Sequence, residues 1–250
     1  MLKLNKITAS IQEKIILEDF SFEFEKGKTY AIMGPNGSGK STLANVIMGH
    51  PAYEVRSKTL RLGGKSEKVK SYIEFEGVDI TEMETNERAD EGIFLSFQSP
   101  LALSGVRVYQ LLQLAMKGKK DPLAIRNEAK EYASELGISE ELLNRPLNEG
   151  ASGGERKKME VLQAAVLEKK LVIFDEVDTG VDIDSLKTIA KFLIKYKKDK
   201  TYIVITHYNR ILHYLKPDYV MIMMGGKVVK VGGPDLAKLI EREGYEESKK

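Results

Sequence analysis

The sequence contains no cysteine, which removes disulfides, thiolate metal sites and thiol redox switches from consideration. Its three histidines, His50, His207 and His213, lack zinc-type spacing, so no transition-metal site of its own is expected. Nor is there an excess of charge of either sign: 39 basic against 37 acidic residues give a formal net charge of +2. A nucleic-acid partner normally demands a concentrated basic face, and none is expected. The longest apolar stretches, such as residues 219–224, fall far short of the roughly 20 residues that span a bilayer, and the opening MLKLNKITAS has no apolar signal core. The chain is therefore expected to be cytoplasmic, with no direct membrane insertion. Internal repeats and heptad runs are absent too. What remains is an ordinary globular composition, 42% hydrophobic over 250 residues, enough for a large core in one domain or two tightly joined lobes.

Against this plain background four short segments stand out by their order: GPNGSGKST at 34–42, ASGGE at 151–155, LVIFDE at 171–176 and TH at 206–207. Each carries residue types that handle phosphate or its metal. In the first, Gly34 and Gly39 bracket four residues ahead of Lys40 and Ser41, which is the P-loop pattern. The binding loop is read as Gly34, Pro35, Asn36, Gly37, Ser38, Gly39, Lys40, Ser41 and Thr42. Its glycines let the backbone turn tightly and aim N–H groups from Asn36 to Thr42 at phosphates, while a helix starting near Lys40 adds its positive dipole end. Lys40 is expected to reach the β- and γ-phosphates and Ser41 to bind Mg²⁺. A glycine-rich turn that merely matches the pattern is disfavoured by its flanks, since residues 28–33 (KTYAIM) read as a short apolar strand and 43–48 as the following helix.

Residues 171–174 are four apolar residues in a row, as a parallel strand buried on both faces requires, and two carboxylates follow. Open α/β sheets bind ligands at such strand ends. Asp175 is expected to hold Mg²⁺, directly or through water, and Glu176 to polarise the attacking water as general base beside the γ-phosphate. A helix N-cap is the plainer role for a carboxylate there, but a P-loop metal needs a second anionic anchor of this kind. Ser152, Gly153, Gly154 and Glu155 open an amphipathic helix with Met159, Leu162 and Val166 on one face; alone, they read as an N-cap serine with two glycines. A lone histidine after a strand is usually a satisfied polar residue, whereas His207 in this company reads as functional.

Alternating patterns at 2–10 and 15–24 predict antiparallel strands, and 59–75 a further hairpin, together a β lobe. Residues 106–117, 122–136 and 139–144 predict short helices with Leu111, Leu112, Leu114 and Ala115 in an apolar band. Strands near Leu171, Tyr202 and Tyr219 and helices at 183–196 and 235–243 complete an α/β pattern. One domain over 1–250 is expected, its core and β lobe drawn from 1–98 and 151–250 and a helical subdomain from 99–150. The run 56–70 holds Arg56, Lys58, Arg61, Lys65, Lys68 and Lys70 against Glu67. A solvated hairpin is the plain reading of it, an acidic protein partner the alternative.

SGGE after a P-loop and before DE resembles the signature of the ATP-binding cassette (ABC) superfamily, with Ala151 where leucine is common. The resemblance implies an ABC-type ATPase fold: a P-loop RecA-like core, an antiparallel β lobe and an inserted helical subdomain that docks the driven partner. It implies ATP and Mg²⁺ as cofactors, and a second copy of the chain as partner in the ATP-bound state. Ser152, Gly153, Gly154 and Glu155 then act in trans, on the γ-phosphate held by the other copy. Gln98, in FLSFQSP after a strand at 92–96, is implied as the glutamine that approaches Mg²⁺ and the attacking water. Asp182, in TGVD, is implied as the carboxylate crossing the dimer interface, and His207 as the switch histidine on the γ-phosphate. The catalytic set is thus Glu176, His207, Gln98 and Lys40. Many cassettes stack an aromatic ring on adenine from the β lobe; residues 9–16 offer none, and Ile11 is the candidate for that place.

Longer segments narrow the resemblance. AIMGPNGSGKSTL at 31–43, HPAYEV at 50–55, EGIFLSFQSP at 91–100, SGGERKK at 152–158, DIDSLK at 182–187, VITHYNRIL at 204–212 and KPDYV at 216–220 are similar to the SufC family, the ABC-type ATPases of the Suf iron–sulfur cluster assembly system. This implies SufB/SufD-type scaffold proteins as partners, with the cluster on those subunits, in keeping with a chain that lacks cysteine. Two alternatives stay open: the ATPase subunit of a membrane transporter, and a non-enzymatic nucleotide-dependent clamp, which has little use for Glu176 together with His207. A chromosome-type ATPase head needs a long coiled coil between P-loop and signature, which is missing.

Overall fold

The structure, a computed structural model, describes residues 1–245 except 57–58, 63–64 and 69–70, and gives the backbone alone between 56 and 68. The side chains of the basic run 56–70 lie outside the described residues. The chain opens with β1 (Leu2–Ile11) and β2 (Lys14–Phe24), an antiparallel pair. Their turn holds Gln12 at φ 45° and Glu13 at φ 65°, the left-handed pair that a two-residue hairpin demands and that glycine or asparagine more often supplies. β3 (Thr29–Met33) leads through the glycine-rich loop to α1 (Lys40–Met48). β4 (Glu54–Arg56) pairs back on β1, while β5 (Thr59–Leu62) and β6 (Lys65–Lys68) form a separate ribbon. β7 (Tyr72–Phe75) rejoins β1 and carries β8 (Val78–Asp79) at its edge. The expected hairpin over 59–75 therefore divides, because buried Ile73 and Phe75 draw β7 into the larger sheet.

α2 (Thr85–Glu91) precedes β9 (Ile93–Leu95). Arg88 on α2 is 2% exposed and donates to the carbonyls of Val46 (2.8 Å), Ile47 (2.9 Å), Thr81 (2.8 Å) and Met83 (3.0 Å). It closes off the C-terminal end of α1, and burial pushes its pKa down to about 10. β10 (Leu103–Arg107), α3 (Val108–Ala115), α4 (Pro122–Leu136), α5 (Glu140–Asn144) and β11 (Pro146–Leu147) follow, with β10 paired to β11 so that the helices stand between the two strands of one ribbon. Asp121 caps α4 by accepting from the N–H groups of Leu123 and Ala124, and Pro122 occupies its first turn. In α3 the expected apolar band breaks up: Leu112 is buried but Leu114 is 72% exposed, because the buried stripe runs through Val108, Tyr109 and Leu112.

α6 (Gly153–Val166), β12 (Leu171–Asp175), α7 (Ile183–Lys195), β13 (Thr201–Ile205), α8 (Asn209–Leu215), β14 (Tyr219–Met224), β15 (Lys227–Gly232) and α9 (Asp235–Glu243) complete the chain. The central sheet runs β15-β14-β3-β13-β12-β9, parallel except for β15. β3, β12 and β13 are buried along their whole length, and their successive residues face opposite layers. Met33, Phe174, Tyr202 and Val204 pack among buried residues of α4, α6 and α7. Tyr30, Ile32, Ile173 and Ile203 pack with α1 and the β1–β2 lobe. Ahead of β14, the Asp218 carboxylate accepts the Thr29 N–H at 2.7 Å, which pins the start of β3. Among the described residues no helix is long and apolar enough to cross a membrane.

Candidate active site

The loop between β3 and α1 has no room for a side chain at Gly34 and holds Gly39 in a conformation that favours glycine. A Cβ on Gly34 would lie 2.1 Å from the Met223 carbonyl oxygen of β14, and Gly39, at φ 99°, is the N-cap of α1. α1 begins without a side-chain cap and with no acidic residue in its first turn, so its dipole end is left to an anion. Lys40 is 5% exposed and folds back into the loop, donating to the carbonyls of Gly34 (2.8 Å) and Pro35 (3.1 Å). Burial lowers its pKa, opposed by the charges of Glu176 and Asp175.

Across the loop, β12 ends in Asp175, the last strand residue rather than one beyond it. Its N–H donates to Ser96 Oγ at 3.1 Å, and its Oδ1 is buried with no hydrogen-bond partner. Burial raises its pKa, countered chiefly by a hydrogen bond with the Ser41 side chain. Glu176 follows at φ 54°, its N–H bonded to the Ile205 carbonyl at 2.9 Å. Three side chains converge on its carboxylate: Gln98 Nε2 at 3.1 Å, Thr179 Oγ1 at 3.3 Å and His207 Nε2 at 3.3 Å. The parallel register that sets Asp175 opposite Ile205 brings the ends of β12 and β13, and so Glu176 and His207, side by side.

These groups border a cavity of about 910 Å³ lined by residues 36–42, Gln98, Glu176, Thr179, His207, Tyr208, Gly225 and, from the β lobe, Lys14, Ile15 and Ile16. Ile11 is not in that lining: as the last residue of β1 it pairs with Lys14, and the residues after the turn face the cavity instead. Ser152, Gly153, Gly154, Glu155 and Asp182 are also absent from it. Ser152 is the N-cap of α6, its Oγ accepting from Glu155 N–H while Glu155 accepts from Ser152 N–H at 2.8 Å, a capping box. The bonds to Ser152 hold the Glu155 carboxyl below the usual carboxylate range. Asp182 caps α7, accepting from Asp184 and Ser185 N–H at 3.0 and 2.9 Å. Both segments stay largely open: Ser152, Gly153 and Asp182 are exposed.

Several residues of this region carry no sequence motif. Asp178, 7% exposed, accepts from the Thr206 hydroxyl at 2.6 Å, and that hydroxyl accepts from Tyr208 N–H at 2.9 Å, so the turn bearing His207 is tied from both sides. Lys157 and Glu160, each 4% exposed, bond the backbone at Phe97 and Gln98. Burial pushes the Glu160 carboxyl up to about 7, against the opposing pull of Lys157 and of Phe97 N–H. The available signal was a pair of charged residues on the buried stripe of an otherwise apolar helix face.

The ABC transporter family model matches residues 17–179. A "Probable ATP-dependent transporter ycf16" from Antithamnion sp. is 40% identical over 98% of this chain and 96% of its own length. "Vegetative protein 296" of Bacillus subtilis (strain 168) is 40% identical over 98% of this chain and 92% of its own. The crystal structure of a nucleotide-free ATP-binding cassette from an ABC transporter superposes with a TM-score of 0.74 at 27% identity, covering 97% of this chain and 95% of the other. With a P-loop, the strand-end Glu176 and a histidine around one cavity, and agreement of this breadth, the chain belongs to the ABC transporter family and has that family's ATPase fold.

Proposed function

We propose that the chain is the ATP-hydrolysing subunit of a Suf-type iron–sulfur cluster assembly machine, closing as a pair of copies around ATP to drive a SufB/SufD-type scaffold. The observation that carries the engine is the convergence of Gln98, Thr179 and His207 on Glu176 at the cavity wall. A carboxylate held by two donors, Gln98 and Thr179, with the His207 ring beside it and a phosphate-binding loop opposite, suits a general base for water. Lys40 exchanges the Gly34 and Pro35 carbonyls for phosphate oxygens, and the N–H groups of 36–42 complete the cradle. Mg²⁺ fits the donors present: the unpartnered Oδ1 of Asp175 and the Ser41 hydroxyl are hard oxygen ligands, with Gln98 on the cavity side. When bound, the ion neutralises charge on the β- and γ-phosphates. The two-copy reading is supported by Ser152 to Glu155 and Asp182 standing outside their own cavity, with Ser152, Gly153 and Asp182 exposed and so open to a second chain.

The finer reading rests on THYNRIL, KPDYV and HPAYEV. THYNRIL forms the tied turn of His207 and the start of α8, and KPDYV supplies Asp218 to β3. A transporter subunit is the second reading, favoured by the description of the Antithamnion relative. The two differ in what the chain binds. Pull-down of the tagged chain from its own detergent-free extract is expected to retrieve a soluble, cysteine-bearing scaffold. Lys40→Ala is expected to abolish cluster loading onto that scaffold while leaving the complex intact. Equal loading with the variant, or ATPase stimulation only by a membrane-embedded partner, replaces this reading with the transporter.

A further inference from the structure

Gln98 reaches Glu176 from a loop whose backbone is held by a buried pair of charges on another element. Lys157 Nζ donates to the carbonyls of Phe97 and Gln98, both at 2.9 Å. Glu160 Oε1 accepts the Phe97 N–H at 2.8 Å, and its Oε2 lies 3.8 Å from Lys157 Nζ with no hydrogen bond of its own. Both residues sit on α6, one turn apart, a short way beyond the Ser152 cap. Burying an ammonium and a carboxylate costs several kcal/mol per ion, and apolar residues of similar volume would fill the same stripe as stably. Here the hydrogen bonds of the pair beyond α6 itself end on two consecutive residues, Phe97 and Gln98, and the side chain of the second is the one that touches the proposed base.

We propose that Glu160 and Lys157 are positioning residues that tie the helix headed by Ser152 to the backbone of Gln98, so that movement at the head of α6 is passed to the contact between Gln98 and Glu176. The assignment rests on the two-copy reading above only in what moves α6, namely nucleotide on the partner copy meeting Ser152. Each chain's α6 then serves two sites, presenting its head to the partner's nucleotide and its buried face to its own glutamine. One consequence is coupling: hydrolysis rises with ATP more steeply than for independent sites.

The test uses the full chain with ATP and Mg²⁺, reading kcat, the Hill coefficient, affinity for a fluorescent ATP analogue, and thermal melting. Glu160→Ala is expected to lower kcat roughly tenfold or more and to bring the Hill coefficient to about 1, with analogue affinity held within about twofold. Glu160→Gln, which can still accept from Phe97 N–H, is expected to recover a large part of kcat. Lys157→Met, which removes the donor to both carbonyls but keeps the helix, provides the same reading should Glu160→Ala not fold. A kcat within about twofold of wild type in Glu160→Ala or in Lys157→Met overturns the proposal. So does a loss of analogue binding and melting temperature in proportion to kcat, which marks a purely structural pair. If Glu176→Gln stays monomeric with ATP while Glu160→Ala still loses kcat at unchanged affinity, the two-copy reading falls and the positioning of Gln98 stands.

Discussion

At the scale of single residues, the site is built on one strained backbone and one missing ring. Glu176 holds φ 54°, a left-handed conformation that costs a non-glycine residue of order 1–3 kcal/mol unless its surroundings impose it. Its N–H bond to Ile205 and the burial of Val177 behind it do so, and the backbone turns out of the strand where the carboxylate must leave the core. On the far wall, the β lobe lines the cavity with Lys14, Ile15 and Ile16 and offers no aromatic ring. Base stacking on an aromatic is worth about 1–3 kcal/mol per base where it has been measured. Recognition is therefore expected to rest on phosphates, and GTP to bind within about tenfold of ATP, a gap of roughly 1.4 kcal/mol. Competition between the two nucleotides for a fluorescent analogue checks this; a much larger preference for ATP means that another group reads the base.

At the scale of elements, legibility followed locality. The P-loop, the strand at 171–175, the signature helix and α7 could be read because their patterns are contiguous and strongly periodic. The three helices after Gln98 were legible in number and order, but not in which face of α3 is buried, since that depends on α4 and α5 packing against it. Ile11 lies outside the cavity lining, and the sequence does not show this because a two-residue turn without glycine hides where β1 stops and the cavity wall begins. The ties that hold the site were illegible for another reason. Asp178 to Thr206, Glu160 to Phe97 and Arg88 to α1 all join elements far apart in sequence, and no local pattern announces which groups will pair. Arg88 makes the sharpest test of such a tie. Arg88→Met takes the guanidinium from four carbonyls, of which that of Val46 keeps the Gly49 N–H, at an expected cost of about 3 kcal/mol or more. That corresponds to a melting temperature lower by roughly 6–12 °C, with ATP affinity weakened because α1 carries Lys40 and Ser41. A drop of under about 2 °C in a thermal melt shows that solvent or repacking replaces the guanidinium.

At the scale of the whole molecule, each copy is expected to hold half of two sites. Specific ATPase activity should then fall on roughly a hundredfold dilution, as the pair dissociates. Glu176→Gln, which blocks water activation and leaves the binding loop intact, should scatter light as a dimer with ATP and Mg²⁺. Activity per chain that is indifferent to dilution means that each cavity is complete on its own. The sheet order has a consequence of another kind, for how the molecule comes into being. β3 carries the binding loop, yet both of its neighbours, β13 and β14, are among the last strands of the chain. Thr29 finds the carboxylate that fixes it 189 residues downstream. A ribosome releases the phosphate motif well before the strands that flank it, so the loop emerges without its sheet. A nascent chain is thus expected to stay blind to nucleotide until β13 and β14 have followed, and ATP can reward only a fold in which the central sheet has closed around the loop.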